Sequence, residues 1–383
     1  MIEKHQDIGI ITFPICETGN APDDTRAGNV PFSNLVDILY HFSDNLYVIT
    51  GNKERVIFRK EDSMHIVEVK HNSRTGFISR VINYVLTQLK LSIQLAKLSG
   101  RVNLWIFFIG AESLILPMLT VKLLRRQAIL AITGFPAQVI EEEKTLLFKI
   151  INLLAGLNLM LANRIITYSQ TIVIERNLEK YQNKITFAHE HFLDFDTFSP
   201  QKPLSQRDSL IAYIGRLEEG KGITNFLEAL AILSEKKREA SFLIGGEGPL
   251  RDKVEEYSSR PGTGQRVEFA GWILHDELPK YLNEVKLLVL PSYTEALPNI
   301  ILEAMACGTP VLTTVVGAIP DIVKDGETGF IMKDNSSNCI AENIIRALEH
   351  PDLEQIADNA HALVEQEYTY EAAIKKFEPV LAI

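Results

Sequence analysis

Short runs rich in β-branched and aromatic residues alternate along this chain with longer stretches whose apolar positions recur at helical spacing. The short runs are 8–13, 45–50, 65–69, 103–110, 128–133 and 164–169. After a polar stretch they resume at 209–215, 240–246, 266–271, 286–292 and 309–314. Helical patterns such as VPFSNLVDILYHF and ITNFLEALAILSEKKRE lie between most of them. Alternating strand and helix predicts an α/β protein with parallel sheets. Two series of five or six strands predict two doubly wound, Rossmann-like domains. The segment FDTFSPQKPLSQRD holds two prolines and no apolar period, which predicts a linker. The expected division is 1–195, a linker at 196–208, and 209–368.

Two apolar stretches need separate treatment. Residues 102–121 are interrupted by Glu112 and Pro117, and residues 150–163 are uncharged but only fourteen long. A spanning helix needs about 20 predominantly apolar residues. Both stretches are therefore expected to be buried strand and helix.

The length of 383 residues leaves room for more than one domain, and 46% hydrophobic with 23% charged residues excludes a mainly disordered chain. Three scattered cysteines exclude a disulfide framework and a zinc ribbon. With no secretory signal visible at the start, a reduced, cytoplasmic protein is expected. Charge adds a local feature. Residues 201–383 carry 18 basic against 29 acidic side chains, whereas residues 1–200 are nearly balanced, at 21 against 20. Residues 70–126 hold nine basic residues and one acid, Glu112. A basic stretch in an acidic protein predicts an anionic partner there: a membrane surface, an anionic lipid head group or nucleic acid. A solvated basic rim is the plainer reading.

Candidate chemistry gathers in the second half. Arg216 and Lys221 follow a predicted strand and precede a helix, a placement that suits a phosphate group. Gly245, Gly246 and Gly248 occupy the next strand-to-helix turn, where glycine permits positive φ or close approach of a ligand. In SYTEALPN, Glu295 lies in a loop ahead of a helix expected to begin near Pro298, and Glu303 lies within that helix. Either carboxylate can accept hydrogen bonds from sugar hydroxyls. Two glutamates around a helix start are also common first-turn charges.

The elements IGRLEEGKG, GGEGPL, VEFAGWI, LPSYTEALPNIILEAMACGTPVL and GETGF follow one another over roughly residues 208–335. In order and spacing they closely resemble glycosyltransferase family 4, the "glycosyl transferases group 1" type of the GT-B fold. The resemblance implies two Rossmann-like domains facing a central cleft, with a nucleotide-diphosphate sugar held mainly by the second. It implies that Arg216 and Lys221 hold the diphosphate, Glu303 the ribose, and Glu295 the transferred sugar. Gly246, Ile273, Leu297, Pro298 and Asn299 are the further donor-binding positions it implies, and Glu295, Arg216 and Lys221 the catalytic ones. It also implies that residues 369–383 form a last helix crossing back to the first domain.

The first half matches more loosely. Gly28 and Asn29 are the nearest candidates for the family's glycine-rich loop. Thr133 and Gly134 stand where a histidine often follows the fifth strand. Asp194 and Asp196 form a DxD beside the linker, and no metal or other cofactor is expected, because cations and a helix start can stabilise a leaving diphosphate. The expected function is a retaining, metal-independent hexosyltransferase acting on a carbohydrate or lipid-linked acceptor in cell-envelope glycolipid or polysaccharide synthesis. It is expected as a peripheral protein of the cytoplasmic membrane face, without a nucleic-acid partner. Alternatives are a non-catalytic sugar-nucleotide-binding protein, or an epimerase or phosphorylase on the same fold.

Overall fold

The computed structural model describes residues 7–12, 30–51, 63–69, 77–133, 146–235, 240–259 and 267–382. The first sheet contains β1 (Ile8–Thr12), β2 (Leu46–Thr50), β3 (Met64–Glu68), β4 (Leu104–Phe108), β5 (Gln127–Ile132), β6 (Arg164–Thr167) and β7 (Ile185–Phe187). The second contains β8 (Leu210–Ile214), β9 (Ser241–Gly245), β10 (Val267–Gly271), β11 (Leu287–Leu290), β12 (Val311–Thr314) and β13 (Phe330–Met332). Strand orders are β3-β2-β1-β4-β5-β6-β7 and β10-β9-β8-β11-β12-β13, with parallel pairing. Each order reverses direction between its first strand and the fourth, which opens a crevice at the strands' carboxyl ends. Every run that the pattern predicts is a strand to within two residues. β7 and β13 were not predicted.

The helices are α1 (Val30–Phe42), α2 (Phe77–Leu98), α3 (Ile115–Leu123), α4 (Leu146–Leu161), α5 (Gln170–Glu175), α6 (Ile223–Glu235) and α7 (Arg251–Ser258). They continue with α8 (Leu278–Glu284), α9 (Asn299–Ala306), α10 (Ile319–Ile322), α11 (Ser337–Leu348), α12 (Leu353–Glu367) and α13 (Tyr370–Leu381). Alternate side chains of the first sheet enter two separate cores. Ile8, Ile10 and Val48 meet Phe32 and Leu35 of α1 and Phe377 and Val380 of α13. Tyr47, Trp105 and Phe107 meet Leu91 and Leu95 of α2, Met118 of α3 and Leu159 of α4. The last helix thus completes the core of the first sheet, and Tyr370 donates to the Asp37 carbonyl of α1 at 3.0 Å. Thr369 caps that helix by accepting from the Ala372 amide.

One sequence expectation is corrected here. The apolar stretch 150–163 is not buried throughout. It forms most of α4, which buries Asn158 and Leu159 but leaves Ile150, Leu153, Leu157 and Met160 exposed. An uncharged apolar stretch does not reveal which of its sides meets the core.

The predicted linker lies against the second sheet's helices. Phe198 is buried, and so is Arg207. The Arg207 guanidinium donates to the carbonyls of Leu282 (3.1 Å), Val285 (3.0 Å) and Cys307 (2.8 Å) and to Thr309 Oγ1 (2.8 Å). Those carbonyls end α8 and α9, where helix dipoles favour a cation.

Candidate active site

The loops leaving β8, β9, β10 and β11 are tied to one another at the carboxyl edge of the second sheet. The Gly246 amide donates to the Gly271 carbonyl at 2.6 Å, Leu217 to Glu247 at 2.8 Å, and Tyr293 to Gly220 at 3.0 Å. Gly246 has φ 140°, and a Cβ there would lie 1.8 Å from the Gly215 carbonyl oxygen. Only glycine fits between those two strand ends. Beneath the first loop, the buried Tyr213 hydroxyl donates to the Arg216 carbonyl at 2.8 Å. Burial pushes that hydroxyl well above the usual tyrosine range.

These loops bring together residues that are distant in sequence. Lys221 Nζ lies 2.8 Å from Glu295 Oε2, and Ser292 donates to Glu295 Oε1 at 2.7 Å. Glu295 is nearly buried, at 8% side-chain exposure, so its charge is matched chiefly by Lys221. Arg216 is half exposed and pairs with Glu218 at 2.5 Å. An entering anion would therefore compete with a carboxylate for each cation.

Glu303 is buried within α9, with Oε1 3.1 Å from His275 Nε2. His275 follows β10 and packs beside the Phe198 ring, at 5.1 Å between centroids. Sequence reading singled out Glu303 but not His275, which stands four residues past the end of β10. Pro298 occupies the N-cap of α9 and offers the helix no side-chain acceptor. The Ile301 amide donates to the Pro298 carbonyl at 3.1 Å, so an acceptor arriving at this helix start would meet the Asn299 and Ile300 amides. Ile273 is partly buried beside Gly245, where an added Cβ would meet its Cδ1 at 2.5 Å.

The loop after β12 braces the Glu295 segment from behind. Gly317 has φ 59°, a Cβ there would lie 2.2 Å from the Glu295 carbonyl oxygen, and Ala318 donates to the Ala296 carbonyl at 2.7 Å. The same loop touches the first half of the chain. The Gly317 amide donates to Glu175 Oε1, and Ser169 Oγ donates to the Gly317 carbonyl. The Glu295 loop thus sits where the two halves meet.

From the first half, Gly28, Asn29 and Gly134 lie outside the described residues. Thr133 is half-buried just after β5. Sequence reading missed a larger feature, the run His189–Glu190–His191 that follows β7. All three residues are buried. The Tyr168 hydroxyl donates to Glu190 Oε1 at 2.5 Å. The His189 ring stacks on Tyr368, with centroids 4.8 Å apart, and Lys376 Nζ lies 3.2 Å from His189 Nε2. Burial raises Glu190 to about 7. It lowers His191 to about 4, which a hydrogen bond with the Leu297 backbone partly offsets. Burial, with the neighbouring His191 and Lys376, holds His189 well below the usual range. Two histidines flanking a glutamate at the end of a short strand were the available signal. Their partners come from residues 22 to 187 positions away.

Asp194 serves a turn. Its carboxylate accepts from the Asp196 amide at 3.1 Å and from the Thr197 hydroxyl at 2.8 Å.

The model of the family "Glycosyl transferases group 1" matches residues 194–365. The alpha-D-kanosaminyltransferase of Streptomyces kanamyceticus is 31% identical over 51% of this chain and 52% of its own. The capsular polysaccharide biosynthesis glycosyltransferase CapM of Staphylococcus aureus is 27% identical over 62% and 66%. The chain spans about half to two thirds of the length of these curated relatives. Among solved structures, sucrose-phosphate synthase of Thermosynechococcus elongatus superposes with TM-score 0.73 at 18% identity, over 98% of each chain. Anabaena HepE, in complex with UDP and glucose, superposes with TM-score 0.68 at 16% identity, over 97% of this chain and 99% of its own. At such identities these likenesses establish a shared GT-B fold over nearly the whole chain. Over residues 194–365, where the motif residues lie, the chain matches the glycosyl transferases group 1 model, and the curated relatives it is similar to are glycosyltransferases.

Proposed function

We propose that this protein transfers a glycosyl group from a nucleoside diphosphate sugar to an acceptor hydroxyl. The observation that carries the reading is the Lys221–Glu295 pair, which joins the loops at the carboxyl ends of β8 and β11, with Arg216 on the first of those loops and Glu303 on the helix after the second, inside the segment that the family model matches. Donor binding would exchange the Lys221 partner from Glu295 to the diphosphate. Glu295 would then be free to accept from sugar hydroxyls, while Glu303, steadied by His275, accepts from the ribose. Gly246, Ile273 and the backbone of Leu297, Pro298 and Asn299 line the same edge. Related structures support the donor class, since HepE was solved with UDP and with UDP-glucose.

In the proposed reaction the bond from the anomeric carbon to the diphosphate oxygen breaks. A new bond forms to the acceptor oxygen on the same face, giving retention. The acceptor proton passes to the leaving phosphate. Arg216, Lys221 and the start of α9 stabilise the charge that develops there. The cations already in place and the commitment of Asp194 to a turn support a reaction that proceeds without a metal. The acceptor side falls to the first half, and its basic helices support a carbohydrate acceptor presented at a membrane surface.

The test measures release of nucleoside diphosphate from a panel of nucleotide sugars with short glycan and lipid-linked acceptors, in EDTA. Release should persist in EDTA and fall about 10²–10³-fold in Arg216→Ala/Lys221→Ala, the usual effect of removing preorganised charge stabilisation. Unchanged release in that variant would reject the site. Strict dependence on manganese would reject the metal-free step.

A further inference from the structure

The helices covering one face of the first sheet present an unusual outer surface. Helix α2 commits one side to the core through Leu91 and Leu95 and is pinned to α3, where the Leu116 amide donates to Gln88 at 3.0 Å. Its opposite side exposes Ile82 (50%), Val85 (43%), Leu86 (47%), Leu89 (46%) and Ile93 (54%). These positions recur at three and four residues and form one stripe. Helix α3 packs between α2 and α4 and adds Leu119 and Leu123, the latter 82% exposed. Helix α4 carries a second stripe, Ile150, Leu153, Leu157 and Met160, with Leu153 and Met160 above 60%. Three adjacent helices thus turn apolar stripes away from the protein. Scattered exposed leucines are ordinary, whereas a contiguous patch marks an interaction surface.

Charge selects the partner. The sequences of α2, α3 and α4 contain no aspartate or glutamate. They contain Arg80, Lys90, Lys97, Lys122 and Lys149, and Lys90, Lys97 and Lys149 are exposed. Arg101 and Arg125 stand exposed at the ends of α2 and α3. The one acid between residues 77 and 133, Glu112, is paired with Arg176 at 2.6 Å. The acids next in sequence, Glu141 to Glu143, lie outside the described residues. A rigid apolar surface rimmed by cations, in a chain of net charge −10, matches the anionic headgroups and acyl boundary of a bilayer. No described helix is long and apolar enough to cross one.

We propose that the outer faces of α2, α3 and α4 form a docking surface for an anionic phospholipid bilayer, with the apolar stripes entering the headgroup boundary and the lysines binding phosphates around them. This gives the membrane contact of the proposed function a defined place and mode. It rests on that reading only for its purpose, because vesicle binding needs neither donor nor acceptor.

Vesicle flotation of the full chain tests it. Partition to phosphatidylglycerol vesicles at low salt should exceed that to phosphatidylcholine vesicles, and ~0.5 M salt should reverse much of it. Lys90→Glu/Lys97→Glu/Lys149→Glu and, separately, Leu153→Asp/Met160→Asp should each weaken partition at least about tenfold at an unchanged melting temperature. Nucleotide-sugar binding by these variants should stay unchanged, so failure here and failure of the proposed reaction read out differently. Equal partition to both vesicle types, or variants that bind as the wild type does, would overturn the proposal. A dimer in solution that the aspartate substitutions disperse would also overturn it, by assigning the face to a second copy of the chain.

Discussion

The two halves share one architecture and differ in what they place on it. Each sheet is parallel, with its strand order reversing beside its first strand. In the second half the helices turn charged and polar residues outward, while glycines, cations and carboxylates crowd the carboxyl ends of the strands. In the first half the outer helices expose aliphatic stripes edged with lysine. The lesson is physical. Parallel strands and two layers of helices fix where a crevice opens, and the residues at the strand ends and on the outer helices decide what each half meets.

Glycine substitutions should show the largest contrast between the halves. Gly246→Ala places a Cβ 1.8 Å from the Gly215 carbonyl at a positive φ. The strand ends must part, and the expected cost is about 3 kcal/mol or more. Gly156 lies within α4, and an added Cβ there meets nothing within 4 Å. Gly156→Ala should raise stability by up to about 1 kcal/mol. Urea titrations of both variants check the pair, and a tolerated Gly246→Ala would show that the strand-end loops are looser than described.

An intermediate effect should come from the buried cluster where the halves meet. Glu190, raised to about 7, favours the folded state while protonated, and that contribution is lost as pH rises from the unfolded range toward 7. His191, lowered to about 4, acts oppositely, because its contribution is present above the unfolded pKa and lost as pH falls toward 4. His189, held below its usual range by burial, works in the same direction as His191. The two trends offset each other between roughly pH 4.5 and 6.5. Glu190→Gln should remove the offset, so that stability falls more steeply on acidification, by up to about 1.4 kcal/mol per pH unit. Melting temperature against pH reads this directly. Parallel curves for the variant and the wild type would show that Glu190 does not titrate in that range.

The second half was the more legible in sequence, because its chemistry is local. Arg216, Lys221, Glu295 and Glu303 stand in loops and helix starts bounded by clear strands, and the structure brings Lys221 to Glu295 and places Arg216 beside Glu218. β7 and β13 escaped because three residues, ITF and FIM, are too few to show a period. Glu190 and its neighbours escaped because nothing near them in sequence supplies Tyr168, Leu297 or Tyr368. The outward side of α4 escaped because hydropathy records how apolar a helix is, whereas its orientation is set by packing against α3 and β5.

Calorimetric titration of nucleoside diphosphate sugars into the wild type and into Arg216→Ala/Lys221→Ala tests the central claim most directly. The wild type should bind at least one such donor saturably. The double variant should bind it at least about a hundredfold more weakly, as expected when two charge-assisted contacts are removed. Its melting temperature without ligand should fall, because Glu295 loses its partner, but stay well above the temperature of the titration, so that the loss of binding is read on folded protein. Equal affinity in the two proteins, or no binding of any nucleoside diphosphate sugar by the wild type, would contradict the assignment of the donor site to the strand ends of the second half.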